Sequence, residues 1–173
     1  AVQLLKRHRD IMFANDDSGN KPISIIITTM AAALYHDEDN IVDAMESILH
    51  AAPDWIRDNM KNGEYYIENP SYAGENFANK WNTHPERAAT FFAWVKQATC
   101  DLSSDKLCSL NRIELGSHIK NVFGDKTGRD VFSKIAEMDH IEIISGTKKV
   151  DTLSGNLSKT GSVVVPTTHH YGK

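Results

Sequence analysis

Cysteine is scarce in this chain of 173 residues: there are two, Cys100 and Cys108, with no second pair at metal-ligand spacing. That scarcity excludes a disulfide framework and a cysteine zinc site, and it fits thiols that stay reduced in a cytosol. An excess of positive charge is also missing. Nineteen Lys and Arg stand against 23 Asp and Glu, a formal net charge of -4, so nothing draws the whole chain to a polyanion and nucleic acid is not an expected partner. No apolar run approaches the roughly 20 residues a membrane-spanning helix needs. No secretory leader pattern is visible either, because Ala1 leads directly into a segment holding Lys6, Arg7, His8 and Arg9. The missing initiator Met leads us to expect a piece of a longer chain.

What is present reads as one globular domain. Hydrophobic residues at 40 % and charged residues at 24 % sit near the globular norm, and a chain of this length buries a sizeable core. Apolar positions from Val2 to Phe13 follow a helical face, and the polar run NDDSGN ends it. The next segment, KPISIIITTMAAALYH, mixes β-branched Ile25, Ile26, Ile27, Thr28 and Thr29 with helix-favouring Met30 to Leu34. Its length and its Pro22 and Ser24 predict one buried helix. A third helix starts after the DEDN capping signal, carries Ile41, Val42, Met45, Ile48 and Leu49, breaks at Pro53 and continues briefly around Trp55 and Ile56. An irregular loop follows, with Tyr65 to Ile67 extended. A further helix begins near Thr83 or His84 and runs to about Leu102, and two shorter ones are predicted at 109–123 and 126–139. The last thirty or so residues are rich in Ser, Thr, Gly and Lys, with one apolar knot at Val163 to Val165, and cannot build a core. The reading is mainly all-α: a bundle of about six or seven helices over 1–143, then an irregular, flexible or wrapping tail over 144–173.

Four stretches, taken in order, resemble the C-terminal half of bacterial cGAS/DncV-like nucleotidyltransferases, the CD-NTases: AVQLLKRHRDIMF, KPISIIITTMAAALY, ENPSYAGENFANKWN and ERAATFFAWVKQATCDL. The resemblance covers about residues 1–140, and the closing HHYGK looks like the end of such a protein. It implies an oligoadenylate-synthetase-like enzyme that makes cyclic di- or oligonucleotide signals from ATP or other nucleoside triphosphates in anti-phage defence. It also implies a cytoplasmic location, a product that activates a downstream effector, and Mg2+ in a two-metal phosphoryl transfer. One departure is decisive. No Gly-Ser followed by a D-x-D pair is present, so the catalytic core that binds the metal is expected to be a missing N-terminal half, its partner in the same chain or as a split subunit.

By the same resemblance, Lys6 and Ser24 contact the nucleotide triphosphate. An ammonium supplies point charge to phosphates, and a Ser at a helix start lies beside free N–H groups. The alternative is that Lys6, Arg7 and Arg9 form a solvated face and that Ser24 is an ordinary cap. Arg7 and Arg9 are left with that alternative, or as partners of Asp10 or of the missing half, and His8 reads as a surface or packing residue. Ile25 stands where some relatives stack an aromatic on a base. Tyr72, Asn76 and Trp81 are candidates for a loop near the nucleotide pocket; otherwise Asn69 and Asn76 satisfy backbone groups and Phe77 and Trp81 are core. Phe91, Phe92 and Trp94 read as core. No His pair at i,i+4 with a carboxylate argues for zinc. A rival from another class is a non-catalytic helical module that binds a partner or a nucleotide.

Overall fold

The computed structural model describes residues 1–147, 149–150, 157–158 and 163–164. The chain forms two compact units, Ala1–Gly124 and Asp125–Lys173. In the first, α1 (Val2–Met12), α2 (Ser24–Leu34) and α3 (Ile41–Asp58) lead to a short hairpin, β1 (Glu68–Asn69) and β2 (Tyr72–Asn76). There follow α4 (Asn79–Thr83), α5 (Pro85–Leu102), α6 (Ser104–Ser109) and α7 (Arg112–Phe123). The second unit holds α8 (Asp125–Ile144) and three two-residue strands, β3 (Lys149–Val150), β4 (Leu157–Ser158) and β5 (Val163–Val164), in the antiparallel order β4-β3-β5. The mainly all-α bundle holds. Eight helices appear among the described residues against the six or seven expected, and the short α4 and α6 are the ones the sequence reading did not place. Most of the tail reading over 144–173, HHYGK included, falls outside the described residues.

The core follows the apolar stripes. Ile26, Ile27, Met30 and Ala31 of α2 meet Ile48, Leu49, Ala52 and Ile56 of α3, and Phe91, Trp94, Val95 and Ala98 of α5 complete the cluster with Leu5 of α1. Each fully buried large side chain contributes about 1.5–3 kcal/mol. That sum settles the mixed propensity of the second segment: the β-branched isoleucines sit in a helix because both Ile26 and Ile27 are fully buried there.

Four boundaries differ from the sequence reading, one of them the end of α8, which runs to Ile144 instead of about 139 and, at 20 residues, is not a short helix. Pro53 does not break α3, which runs unbroken through it; Ala52 and Ile56 on either side are buried in one core, and that packing holds the helix across the lost hydrogen bond. Extended structure begins at Glu68 rather than at Tyr65, because Asn69 turns the chain by accepting the Ser71 amide hydrogen at 2.9 Å. The start of α7 lies at Arg112, fixed by a capping box in which Asn111 accepts from Ile113 and Glu114 while Glu114 accepts from the Asn111 amide. At the other end of α7, Gly124 has φ of +87°, and a Cβ there would lie 2.7 Å from Arg7 Nη2 and 2.9 Å from Ile11 Cδ1. Those two side-chain ends could move aside, so it is the positive φ that requires glycine here.

Candidate functional site

Leu5, His8 and Arg9 share one stripe of α1 at i, i+3, i+4 and all are buried. Two polar side chains thus occupy core positions, and buried polar groups need partners. Arg9, 5 % exposed, has them on two sides. Its Nη1 donates to the Pro22 carbonyl at 2.6 Å and to Ser24 Oγ at 3.0 Å, while Nε and Nη2 donate to Asp10 Oδ1 at 3.1 and 2.8 Å. Lys21 reaches the same Asp10 oxygen at 2.8 Å. Burial alone would raise the Asp10 carboxyl, but the Lys21 and Arg9 hydrogen bonds outweigh it and hold the group below its ordinary value. The solvated-face expectation for Arg9 is therefore corrected: it is a buried clasp between α1 and the start of α2. Its pairing with Asp10 is as expected.

Ser24 is not a cap. The N-cap position of α2 is Ile23, which offers no side-chain acceptor, and Ser24 is the first helical residue. No side chain therefore caps the first turn of α2, whose N–H groups lack intrahelical partners. Ser24 Oγ accepts from Arg9 and keeps its own proton to donate. Lys6, half-buried, lies one helical turn from Arg9 and has no hydrogen bond or salt bridge among the described residues. Arg9 and Lys21 share one carboxylate, Asp10, a cationic surplus in a chain that is acidic overall.

The loop candidates lie elsewhere in role. Tyr72 on β2 is 70 % exposed. Asn76 Oδ1 accepts from Ile67 and Ala78 amides, each at 2.9 Å, and its Nδ2 donates to the Tyr65 carbonyl at 2.9 Å. Trp81 is buried against Phe91, with ring centroids 5.0 Å apart. Asn76 still lines a cavity of about 320 Å3 together with Lys21, Ile23, Trp81 and Arg87. Ile25 is exposed and offers an aliphatic surface beside Ser24.

Beside Arg9 on the buried stripe, His8 is 2 % exposed and packed as expected. The Trp94 indole donates to His8 Nδ1 at 3.2 Å, and His8 Nε2 lies 3.0 Å from Asp101 Oδ2. Burial pushes the His8 pKa down, Asp101 pulls it back in part, and His118 adds to the fall. Arg7 Nε donates to the Phe123 carbonyl at 2.8 Å. Among the described residues no group of three His, Cys, Asp or Glu could hold a metal ion, and no helix is long and apolar enough to cross a membrane.

Comparison with known proteins places this geometry. The chain is 34 % identical over 95 residues to a c-di-GMP synthase of Roseivirga ehrenbergii, across 55 % of this chain and 25 % of that enzyme. Its fold matches the CD-NTase CdnG of Bradyrhizobium diazoefficiens, solved in complex with GTP, with a TM-score of 0.61 over 78 % of this chain and 38 % of that one, at 20 % identity. The chain is CD-NTase-like. It spans a quarter of the length of the curated relative it matches. No protein-family profile matches it. Arg9 is the residue that sequence reasoning missed in this CD-NTase-like chain. Its signal was there, since position 9 lies four residues after Leu5 on the buried stripe.

Proposed function

We propose that this CD-NTase-like chain is the helical part of a nucleotide second-messenger synthase, in which Lys6 and Ser24 hold the triphosphate of a bound nucleotide. One observation carries the reading: Arg9 joins the Lys6 helix to an uncapped helix N-terminus through Ser24. Lys6 brings a mobile charge, Ser24 a hydroxyl proton and α2 its free N–H groups, all toward an anion. The likeness to a c-di-GMP synthase and to a GTP-bound CD-NTase supports a cyclic nucleotide as product.

Among the described residues none form a metal site, and the reading assigns Mg2+ and the chemistry it supports to an N-terminal nucleotidyltransferase half. That half is the required partner; ATP, GTP or another nucleoside triphosphate is the substrate. The assembled enzyme works in the cytoplasm in anti-phage defence, its product activating an effector. Tyr72 and Asn76 border the pocket, Asn76 by holding the loop rather than by offering its amide.

The test is turnover of labelled nucleoside triphosphates with Mg2+ by this chain alone and joined to such a core. Product from the joined form, lost on Lys6→Ala, is the expected result. Binding of nucleotide without product from either form would favour a non-catalytic nucleotide-binding module.

A further inference from the structure

His8 is held between two elements in a way that fixes where its proton sits. The Trp94 indole can only donate, so Nδ1 must be the acceptor and carry no proton. The single proton of the neutral ring is then on Nε2, donated to Asp101 Oδ2. Trp94 is fully buried, so no solvent can replace Nδ1 as its partner. The titratable groups that face His8 are Asp101 from α5 and His118 from α7; α2, the third helix packed on α1, presents none. Asp101 also accepts from Gln97 Nε2 at 3.0 Å, and its backbone carbonyl lies 2.7 Å from His118 Nε2. The next residue along α1 is Arg9, which clasps Ser24.

We propose that His8 is a positioning residue: as the neutral Nε2–H tautomer it seats α1 on α5, and protonation at Nδ1 releases that seat and loosens the Arg9–Ser24 clasp. A proton on Nδ1 sets two N–H donors against each other at the Trp94 contact, and the buried indole loses its acceptor. The helix answers by shifting, and Arg9, on the same stripe, shifts with it. The consequence for triphosphate binding rests on the reading of Lys6 and Ser24 given above; the mechanical coupling does not.

The experiment follows the ring nitrogens of His8, the Arg9 Nε–H and the Ser24 amide by NMR from pH 8 to pH 5, with inorganic tripolyphosphate titrated in parallel. At pH 8 the Nε2–H tautomer is expected, and the Arg9 and Ser24 signals should move with the same midpoint as His8. Asp101→Asn keeps an acceptor for Nε2–H and removes the charge that draws the proton, so it should carry all three midpoints to lower pH together. Tripolyphosphate affinity should fall about fivefold or more across the His8 midpoint, beyond any change seen in His8→Gln, which has no ring to protonate. An Nδ1–H tautomer, or Arg9 and Ser24 signals that stay still while His8 titrates, would overturn the proposal. No tripolyphosphate binding at any pH, with the three midpoints still moving together, would instead leave the coupling standing and remove the triphosphate reading.

Discussion

Two regions of the first unit solve the same problem with opposite outcomes. In the segment from Tyr65 through α4, Asn76 and Asn82 use their amides on the backbone: Asn76 on Ile67, Ala78 and Tyr65, and Asn82 on the Tyr65 amide and carbonyl at 2.8 and 3.1 Å. At the start of α2, Arg9 also bonds to backbone, at Pro22, but it ends on a hydroxyl that still has a proton to give. The loop is closed on itself. The α1–α2 corner keeps hydrogen-bonding capacity and net positive charge, and on the function proposed above that surplus is what a ligand would use.

Breaking each region in turn should separate their roles. Asn76→Ala leaves the Ile67 and Ala78 amide hydrogens without their partner in a half-buried loop, while the Tyr65 carbonyl keeps Asn82, a loss of about 2–4 kcal/mol. Thermal or denaturant unfolding reads that loss, and tripolyphosphate affinity of the folded fraction should not change. Arg9→Met keeps the buried volume but removes the clasp. It should cost about 2–3 kcal/mol, less than a fully buried ion pair because Lys21 remains to pair Asp10. Here affinity should fall together with stability. If Asn76→Ala weakened binding as much as Arg9→Met, the contrast between the two regions would be lost.

A finer cut leaves stability alone. Lys6→Ala removes a side chain with no hydrogen bond or salt bridge among the described residues, so unfolding should shift by less than about 0.5 kcal/mol. Tripolyphosphate affinity should drop about tenfold, the loss of one charge-assisted contact. Ser24→Ala should be milder in binding, about three- to fivefold, and should also cost about 1 kcal/mol of stability because Arg9 Nη1 loses an acceptor. Isothermal titration on both variants orders the two effects.

How much of this was legible in the sequence depends on what each residue answers to. Periodicity placed α1, α2 and α5 well and found α7 though not its start, because Leu5, Ile26, Phe91 and Phe123 sit where helical stripes put them. Pro53 misled because its local penalty was outweighed by burial of Ala52 and Ile56. Ser24 was rightly singled out at the start of a helix, yet its bond to Arg9 spans 15 residues and no local rule foresees it. Arg9 itself looked like one more member of a charge run. Its position four after Leu5 was visible, but its partners Pro22 and Ser24 appear only when α1 packs on α2.

The smallest expected effect lies in acid and tests the contact of α1 with α5. His8 has its pKa lowered from 6.5 by burial, against the pull of Asp101. The unfolded chain therefore binds more protons than the folded one once pH drops below about 6.5, so stability falls with pH down to the folded value and then levels. Asp10 and Glu46 are also lowered, Asp10 by Lys21 and Arg9 against its burial and Glu46 by its bonds to Ser104. Their contribution is intact above their ordinary values of 3.8 and 4.5 and is lost as pH falls through the depressed folded ones. Two windows should then separate in a pH series of denaturant midpoints. His8→Gln should erase the upper step and leave the lower, whereas Arg9→Met should blunt the lower step and shrink the upper one, because a proton on His8 that loosens the clasp costs less once the clasp is gone. An upper step untouched by Arg9→Met would mean that His8 and Arg9, adjacent in sequence, tie α1 to its neighbours independently.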